Sequence, residues 1–239
     1  MAPTYETLRD KSIDKLKKYM DSLPPEKGKL LAYWLQDYTR FLIQEATFKP
    51  EKNIRYKRGS VIKAHLGYRV GSEEGGLHYA IVIENNNSIY SPTLTIIPLT
   101  SIKKGFNPDK LHRSQVYLGD EIYSTINDHL NKEIASAQER IKVLNEKILE
   151  IGSNSSAEDI KKELKDISAD LVHCKNMQDE IDKMKVGSIA LVGQITTISK
   201  IRIYDPKYKS DALAKIRVSE KTLNLLDERI NELFCYPQK

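Results

Sequence analysis

Cysteine, tryptophan and long apolar runs are scarce in this sequence. The 239 residues include two cysteines, Cys174 and Cys235, which form no motif, so a disulfide framework and a cysteine-based zinc site are not expected. No apolar run approaches the ~18 residues that a membrane span needs, and residues 1–11 are polar, so we expect a cytoplasmic protein. The five histidines lack zinc-ligand spacing, and no P-loop or dinucleotide fingerprint occurs, so we predict no metal and no cofactor.

Charge is plentiful and unevenly spread. The chain carries a net charge of +5, yet residues 124–185 contain ten Lys and Arg against thirteen Asp and Glu. The segments on either side, 51–123 and 186–239, are each basic by three charges, with ten against seven and nine against six. A basic balance suits a phosphate-bearing partner. On charge alone, a solvated surface rich in lysine is the simpler interpretation.

The hydrophobic pattern divides the chain into four segments. Residues 1–50 have helical periodicity at 5–22 and about 26–46, and predict an N-terminal helical extension. Residues 51–123 contain short runs rich in Val, Ile and Thr between glycine and proline turns, which is typical of a small barrel. Residues 124–185 predict an inserted helical hairpin, and residues 186–239 predict the rest of the barrel and a C-terminal helix capped by Ser219. The predicted strands of the first barrel segment are 60–66, 79–84, 93–99 and 114–118.

The predicted hairpin has a narrow apolar seam. Apolar residues repeat at alternating spacings of three and four on each side of a predicted turn at 152–156, as in an antiparallel coiled coil. Such a seam can be buried by the partner helix alone, so we expect the hairpin to project from the barrel and to bury its apolar residues between its own two helices. The seam residues are Ile134, Ala137, Ile141, Leu144, Ile148, Ile151, Ile160, Leu164, Ile167, Leu171, Cys174 and Ile181.

The second N-terminal helix has a wide apolar stripe that is too large to remain exposed in a soluble monomer. We expect it to bury against its own barrel, the C-terminal helix or a second subunit, and the short linker at 49–55 favours its own barrel. The stripe comprises Leu31, Trp34, Leu35, Tyr38, Phe41 and Leu42.

Five motifs together resemble the MazF/PemK family of toxin endoribonucleases. They are Lys-Arg-Gly at 57–59, Val-Gly-Ser-Glu-Glu-Gly-Gly at 70–76, Tyr-Ser-Pro-Thr at 90–93, Ile-Pro-Leu-Thr-Ser at 97–101 and Leu-Val-Gly-Gln-Ile-Thr-Thr-Ile-Ser-Lys at 191–200. The resemblance implies an α+β fold with a small SH3-like barrel. It also implies sequence-selective, metal-independent cleavage of single-stranded RNA that leaves a 2′,3′-cyclic phosphate and inhibits growth. The implied partners are a second copy of the chain, as a homodimer, and an antitoxin protein.

The same resemblance identifies candidate site residues. His78 stands where the family has arginine, and histidine can transfer protons as well as carry charge. Thr100 aligns with the family's active-site threonine, and its hydroxyl could bond a phosphate. For both residues a purely structural role is the alternative. The candidate RNA-binding residues are Arg58, Ser72, Glu73, Glu74, Gly75, Gly76, Ser101 and Gln194.

A rival function belongs to another class. The replacement of arginine by His78 is compatible with a catalytically silent barrel that binds nucleic acid or protein, with the hairpin as its interaction arm. Incubation of the purified protein with mixed RNA in EDTA separates the two functions.

Overall fold

The computed structural model describes residues 2–149 and 157–235, so the predicted turn at 152–156 and Ile151 lie outside the described residues. Within these ranges the chain forms the helices α1 Tyr5–Asp21, α2 Pro25–Glu45, α3 Glu121–Leu149, α4 Ala157–Lys183 and α5 Glu220–Phe234. It also forms the strands β1 Val61–His65, β2 Leu77–Val82, β3 Thr93–Ser101, β4 Val116–Gly119, β5 Ser188–Ala190, β6 Thr196–Ser199 and β7 Ile203–Asp205. None of the described helices has the length and apolar character needed to cross a membrane.

The seven described strands form one antiparallel sheet in the order β4-β5-β3-β2-β1-β7, and β6 also pairs with β3. At nine residues, β3 is long enough to pair with three strands. Its first half pairs with β6, its middle with β2, and its last three residues with β5. Among the described strands, the path of pairing does not close into a full ring, because β4 and β7 remain at its two ends.

The predicted α+β fold is confirmed: a small antiparallel barrel-like sheet carries N-terminal helices, an inserted helical hairpin and a C-terminal helix. The four predicted strands correspond to β1 to β4. The predicted cap is also present, since the Ser219 side chain accepts a hydrogen bond from the Thr222 amide at the start of α5. Strand β7 was not predicted, and it pairs with β1.

Two apolar layers lie on the two faces of the sheet. One contains Ile62, Ala80 and Ile96, and is closed by Tyr56. The other contains Val61, Ile81 and Ile97, and is covered by α5 and by the start of α3 and the end of α4. The helices therefore complete the second layer, because a sheet this small cannot bury both faces by curvature alone.

The hairpin is formed by α3 and α4, which pack against each other. Its seam is narrower than predicted. Ala137, Leu144, Ile167, Cys174 and Ile181 are buried, but the predicted seam positions Ile134, Ile141, Ile148, Leu164 and Leu171 are each 36 to 50% exposed, and Ile160 is partly buried. Among the predicted seam positions, the buried ones are seven residues apart on each helix, and the positions between them remain partly exposed.

The base of the hairpin belongs to the barrel core. Ile126 and Leu130 of α3, and Met177 and Ile181 of α4, lie in the same buried cluster as the sheet residues Val61 and Ile97. Glu180 adds polar contacts, because it accepts hydrogen bonds from the Lys63 ammonium at 2.6 Å and from the Tyr79 hydroxyl. The expectation that the hairpin buries its apolar residues between its own two helices is therefore wrong at its base, where they pack with residues of the sheet.

The N-terminal helices differ in how they contact the barrel. Helix α1 buries no residue, whereas α2 buries Leu31 and Phe41 and packs on the 3-10 turn Lys200–Arg202. The α2 stripe was expected to pack on its own barrel, and Trp34 of this stripe does so by stacking on His65 of β1. Tyr38 and Leu42 of the same stripe are about half exposed, at 47% and 51%.

Candidate active site

The loop between β1 and β2 is held in a tight turn that only glycine permits. The Gly76 amide donates to the Gly67 carbonyl at 2.8 Å, and the Leu66 amide donates to the Gly76 carbonyl at 2.7 Å. A side chain at Gly75 would place its Cβ 2.8 Å from the Gly67 oxygen, and Gly76 has φ +85°. Both predicted glycines are thus required by the backbone, which presents residues 72–74 above the end of β3.

Gln194 anchors this loop from the far part of the chain. Its side-chain oxygen accepts a hydrogen bond from the Glu74 amide at 2.6 Å, and its side-chain nitrogen donates to the Ser72 carbonyl at 3.3 Å. Gln194 ends the 3-10 turn Val192–Gln194, which comes directly after β5. The structure therefore brings together three of the predicted site residues, Ser72, Glu74 and Gln194.

His78 lies near the start of β2 and is held between two acceptors. Its Nε2 is 3.0 Å from a Glu74 carboxylate oxygen, and its Nδ1 is 3.0 Å from the Leu99 carbonyl oxygen. Only a doubly protonated imidazole can donate to both. The side chain is 27% exposed. The arrangement thus places a carboxylate and a potential cation in direct contact at a partly open position.

Thr100 and Ser101 follow Leu99 at the end of β3 and line a cleft of about 560 Å³ with Ser72, Glu74 and Gln194. The opposite wall is the loop after β3, which contributes Lys103, Lys104 and Lys110. Sequence reasoning missed these lysines. The sequence could have identified two of them, because the pair Lys103-Lys104 begins only two residues after Ser101. This spacing brings positive charge beside a candidate phosphate-binding hydroxyl.

A second cleft of about 430 Å³ lies on the other side of Glu74. Glu73 and Arg69 line it together with Gln194. Arg69 was also missed, and it lies near Arg202 of the turn after β6. Burial lowers the pKa of Arg202, and the positive charge of Arg69 lowers it further. The acidic residues Glu73 and Glu74 of the loop therefore lie between two groups of basic side chains. The lysines line the first cleft, and the arginines lie at the second.

Arg58 lies apart from this group. Its guanidinium donates to the Ile83 carbonyl and pairs with Asp227 of α5. These contacts tie the start of β1 to α5, so the structure gives Arg58 a structural position. Within the described part of the chain, no set of three or more His, Cys, Asp or Glu side chains is arranged to hold a metal ion.

Comparison with known families matches residues 57–170 to the family model described as PemK-like, MazF-like toxin of type II toxin-antitoxin system. The match contains His78, Thr100 and the whole β1–β2 loop. It does not include α1, α2 or the strands after the hairpin. No curated protein matches the chain.

Proposed function

Residues 57–170 of this chain belong to the PemK-like, MazF-like toxin family, and from this premise we propose that the protein is a toxin-like endoribonuclease that cleaves single-stranded RNA. Members of the family are endoribonucleases, which supports an enzymatic role. The observation that carries the proposal is the contact between His78 and Glu74, 3.0 Å apart, beside Thr100 at the end of β3.

The proposed reaction needs one base and one acid. The base takes the proton of the 2′-hydroxyl, whose oxygen then attacks the adjacent phosphorus. The bond from phosphorus to the 5′-oxygen breaks, and the acid protonates that oxygen, leaving a 2′,3′-cyclic phosphate and a 5′-hydroxyl. Glu74 is the proposed base and His78, through its Nε2–H, is the proposed acid. Their contact in the free protein opens when the phosphate enters between them.

Charge on the phosphate must be stabilised as it increases in the transition state. The Thr100 hydroxyl is the proposed donor to a non-bridging oxygen, and Lys103 and Lys104, which line the same cleft, are the proposed source of positive charge. A protonated His78 supplies the cation that arginine provides in the pattern the sequence resembles. Ser72, Glu73, Ser101 and Gln194 are the proposed contacts to bases and sugars of a sequence-selective substrate, and the proposed partners are an antitoxin and a second copy of the chain.

One observation favours a second function. His78 replaces the family arginine, and its Nε2 is already occupied by Glu74. A protein in which this contact never opens would bind RNA or protein without cleaving, and the exposed outer hairpin would act as its interaction arm.

The test is cleavage of a mixed single-stranded RNA by the purified protein in EDTA. We expect cleavage that leaves 2′,3′-cyclic phosphate ends, and a rate lowered by ~100-fold or more in His78→Ala and in Glu74→Gln. His78→Arg should recover part of the lost rate, since it restores a cation but not a readily transferred proton.

His173→Ala is the matched control, because His173 is also partly buried and its Nδ1 lies 2.8 Å from a carbonyl, that of Ser210, far from the cleft. Absence of cleavage by the natural sequence would favour the silent module. Full activity of His78→Ala would remove His78 from the mechanism while leaving the family assignment intact.

A further inference from the structure

Helix α2 forms one wall of a pocket that reaches the candidate active site. The pocket has a volume of about 450 Å³, within the range of about 300–1,000 Å³ typical of ligand sites. Leu30, Tyr33 and Trp34 of α2 line it together with residues of the β1–β2 loop, and His78 is also among its lining residues. The α2 residues lie outside the range that matches the toxin family.

The pocket walls carry exposed aromatic rings. Tyr33 on α2 is 56% exposed, and Tyr68 on the β1–β2 loop is 39% exposed. Within the described residues, neither ring stacks on another aromatic ring. The carboxylate of Glu73 lines the same pocket and can accept hydrogen bonds from a base edge. Planar apolar surfaces beside one acceptor are what a single unpaired nucleobase requires.

The surroundings of the pocket are positively charged. Arg69 lines it, and the Arg202 guanidinium lies 5.4 Å from the Trp34 ring centroid. Across the described ranges neither arginine forms an ion pair, and the buried Nε of Arg202 has no hydrogen-bond partner. Their charge is therefore not neutralised by a protein carboxylate, which favours an approaching phosphate.

The α2 wall is fixed to the barrel by specific contacts. The Trp34 ring stacks on His65 of β1, with centroids 4.7 Å apart. One turn further along α2, Asp37 accepts a hydrogen bond from the Tyr204 hydroxyl of β7 at 3.0 Å. Because this wall is already ordered in the free protein, binding does not incur the entropic cost of ordering it.

We propose that this pocket is a nucleobase subsite, which holds one unpaired base of the RNA strand whose phosphate lies between His78 and Glu74. The inference rests on the proposed function and adds α2 to the substrate-binding surface. Tyr33 and Tyr68 provide the stacking surfaces, and Glu73 bonds the base edge.

Trp34 is the single tryptophan of the chain, so tryptophan fluorescence comes from a residue that lines this pocket. The probes are a short 2′-O-methyl RNA containing all four bases, which cannot be cleaved through its 2′-oxygen, and the same strand made abasic. We expect the first strand to change the Trp34 emission with saturation and the abasic strand to leave it unchanged. An equal response to both strands would mean that only the backbone is bound, and would overturn the subsite.

Tyr33→Ala and Tyr68→Ala should each weaken binding of the base-containing strand by about tenfold, the usual effect of losing one stacking ring. Tyr19→Ala is the control, since Tyr19 is 50% exposed on α1 and lies away from the pocket. Both pocket variants are expected to keep the circular dichroism spectrum of the natural sequence, because neither ring belongs to a buried core cluster.

Two outcomes separate this inference from the proposed function. If the protein cleaves RNA and Tyr33→Ala behaves as Tyr19→Ala does, the subsite is wrong and the nuclease stands. If the protein does not cleave RNA but the base-dependent emission change is present, the subsite stands and the nuclease is wrong. Faster RNA cleavage by Tyr33→Ala would also overturn the subsite, because α2 would then be a cover that restrains the enzyme.

Discussion

Replacing Met177 by alanine should remove the centre of the contact between the hairpin and the sheet. Met177 lies on α4, is fully buried, and shares the main core cluster with Ile126 and Leu130 of α3 and with sheet residues. If the base of the hairpin is part of the barrel core, a cavity at this position must weaken the whole fold. If the hairpin is an independent arm, the same change should affect only the arm.

The size of the effect follows from the burial of the side chain. Truncating a buried methionine to alanine costs about 2–5 kcal/mol of the free energy of unfolding. In a chain of this size each kcal/mol lowers Tm by roughly 2–4 °C, so Met177→Ala should lower Tm by roughly 4–20 °C. Leu171→Ala is the matched control, because Leu171 lies on the same helix but is 49% exposed. Its truncation should cost about 1 kcal/mol or less, since much of the side chain remains in water.

The assay is thermal unfolding for Tm and urea unfolding for the free energy, at one fixed protein concentration. Each is followed by far-ultraviolet circular dichroism and, separately, by the fluorescence of Trp34 on α2. Fixed concentration matters because association would add to the apparent stability. We expect Met177→Ala to shift both signals together. Equal shifts for Met177→Ala and Leu171→Ala, or a shift in the helical signal without the Trp34 signal, would refute the assignment of the hairpin base to the core.

Three further predictions concern charge and the cleft. Burial raises the pKa of Asp205 from 3.8 to about 6, so the contribution of this carboxyl to stability is greatest at low pH and is lost as pH rises through that interval. In Asp205→Asn, the free energy of unfolding measured in urea should therefore vary less with pH over the same interval. Lys103→Ala combined with Lys104→Ala should weaken RNA binding and reduce the slope of log K against log salt by about 1.4, as expected for two lost phosphate contacts on a single strand. Thr100→Val should lower kcat by about tenfold or more with a smaller change in KM, because it removes a hydrogen bond of ~1–3 kcal/mol; equal losses of binding and turnover would point to a disturbed strand.

The elements with strong local signals could be predicted from the sequence. The two N-terminal helices, the first four strands and the capped C-terminal helix have clear periodicity, and each is found within a few residues of its predicted bounds. Strand β7 was missed because its three residues are too few to show alternation, and it forms by pairing with the distant β1. The hairpin seam was also predicted only in part. Periodicity identifies the apolar positions, but the rotation of each helix about its axis decides which of them are buried, and the sequence pattern does not fix that rotation.

The candidate site was predictable as a set of residues but not as an arrangement. Glu74 and His78 are four residues apart, which in an extended chain places them about 13 Å from each other. Their contact at 3.0 Å depends on the loop turning back through Gly75 and Gly76. Arg58 shows the opposite error: it was predicted to bind RNA, but its guanidinium pairs with Asp227 of α5, far along the chain.

The segment that matches the toxin family is not by itself a complete structural unit. Strand β3 carries Thr100, and its two outer partners β5 and β6 both lie after residue 170. Gln194, which holds the Glu74 amide, and Arg202, which lies beside Trp34, also come from that later part. A fragment limited to residues 57–170 would therefore leave β3 with unpaired backbone groups along both ends and the site loop without its anchor. The unit that carries the proposed chemistry must therefore include the strands after the hairpin, and the hairpin base belongs to the same core as the sheet.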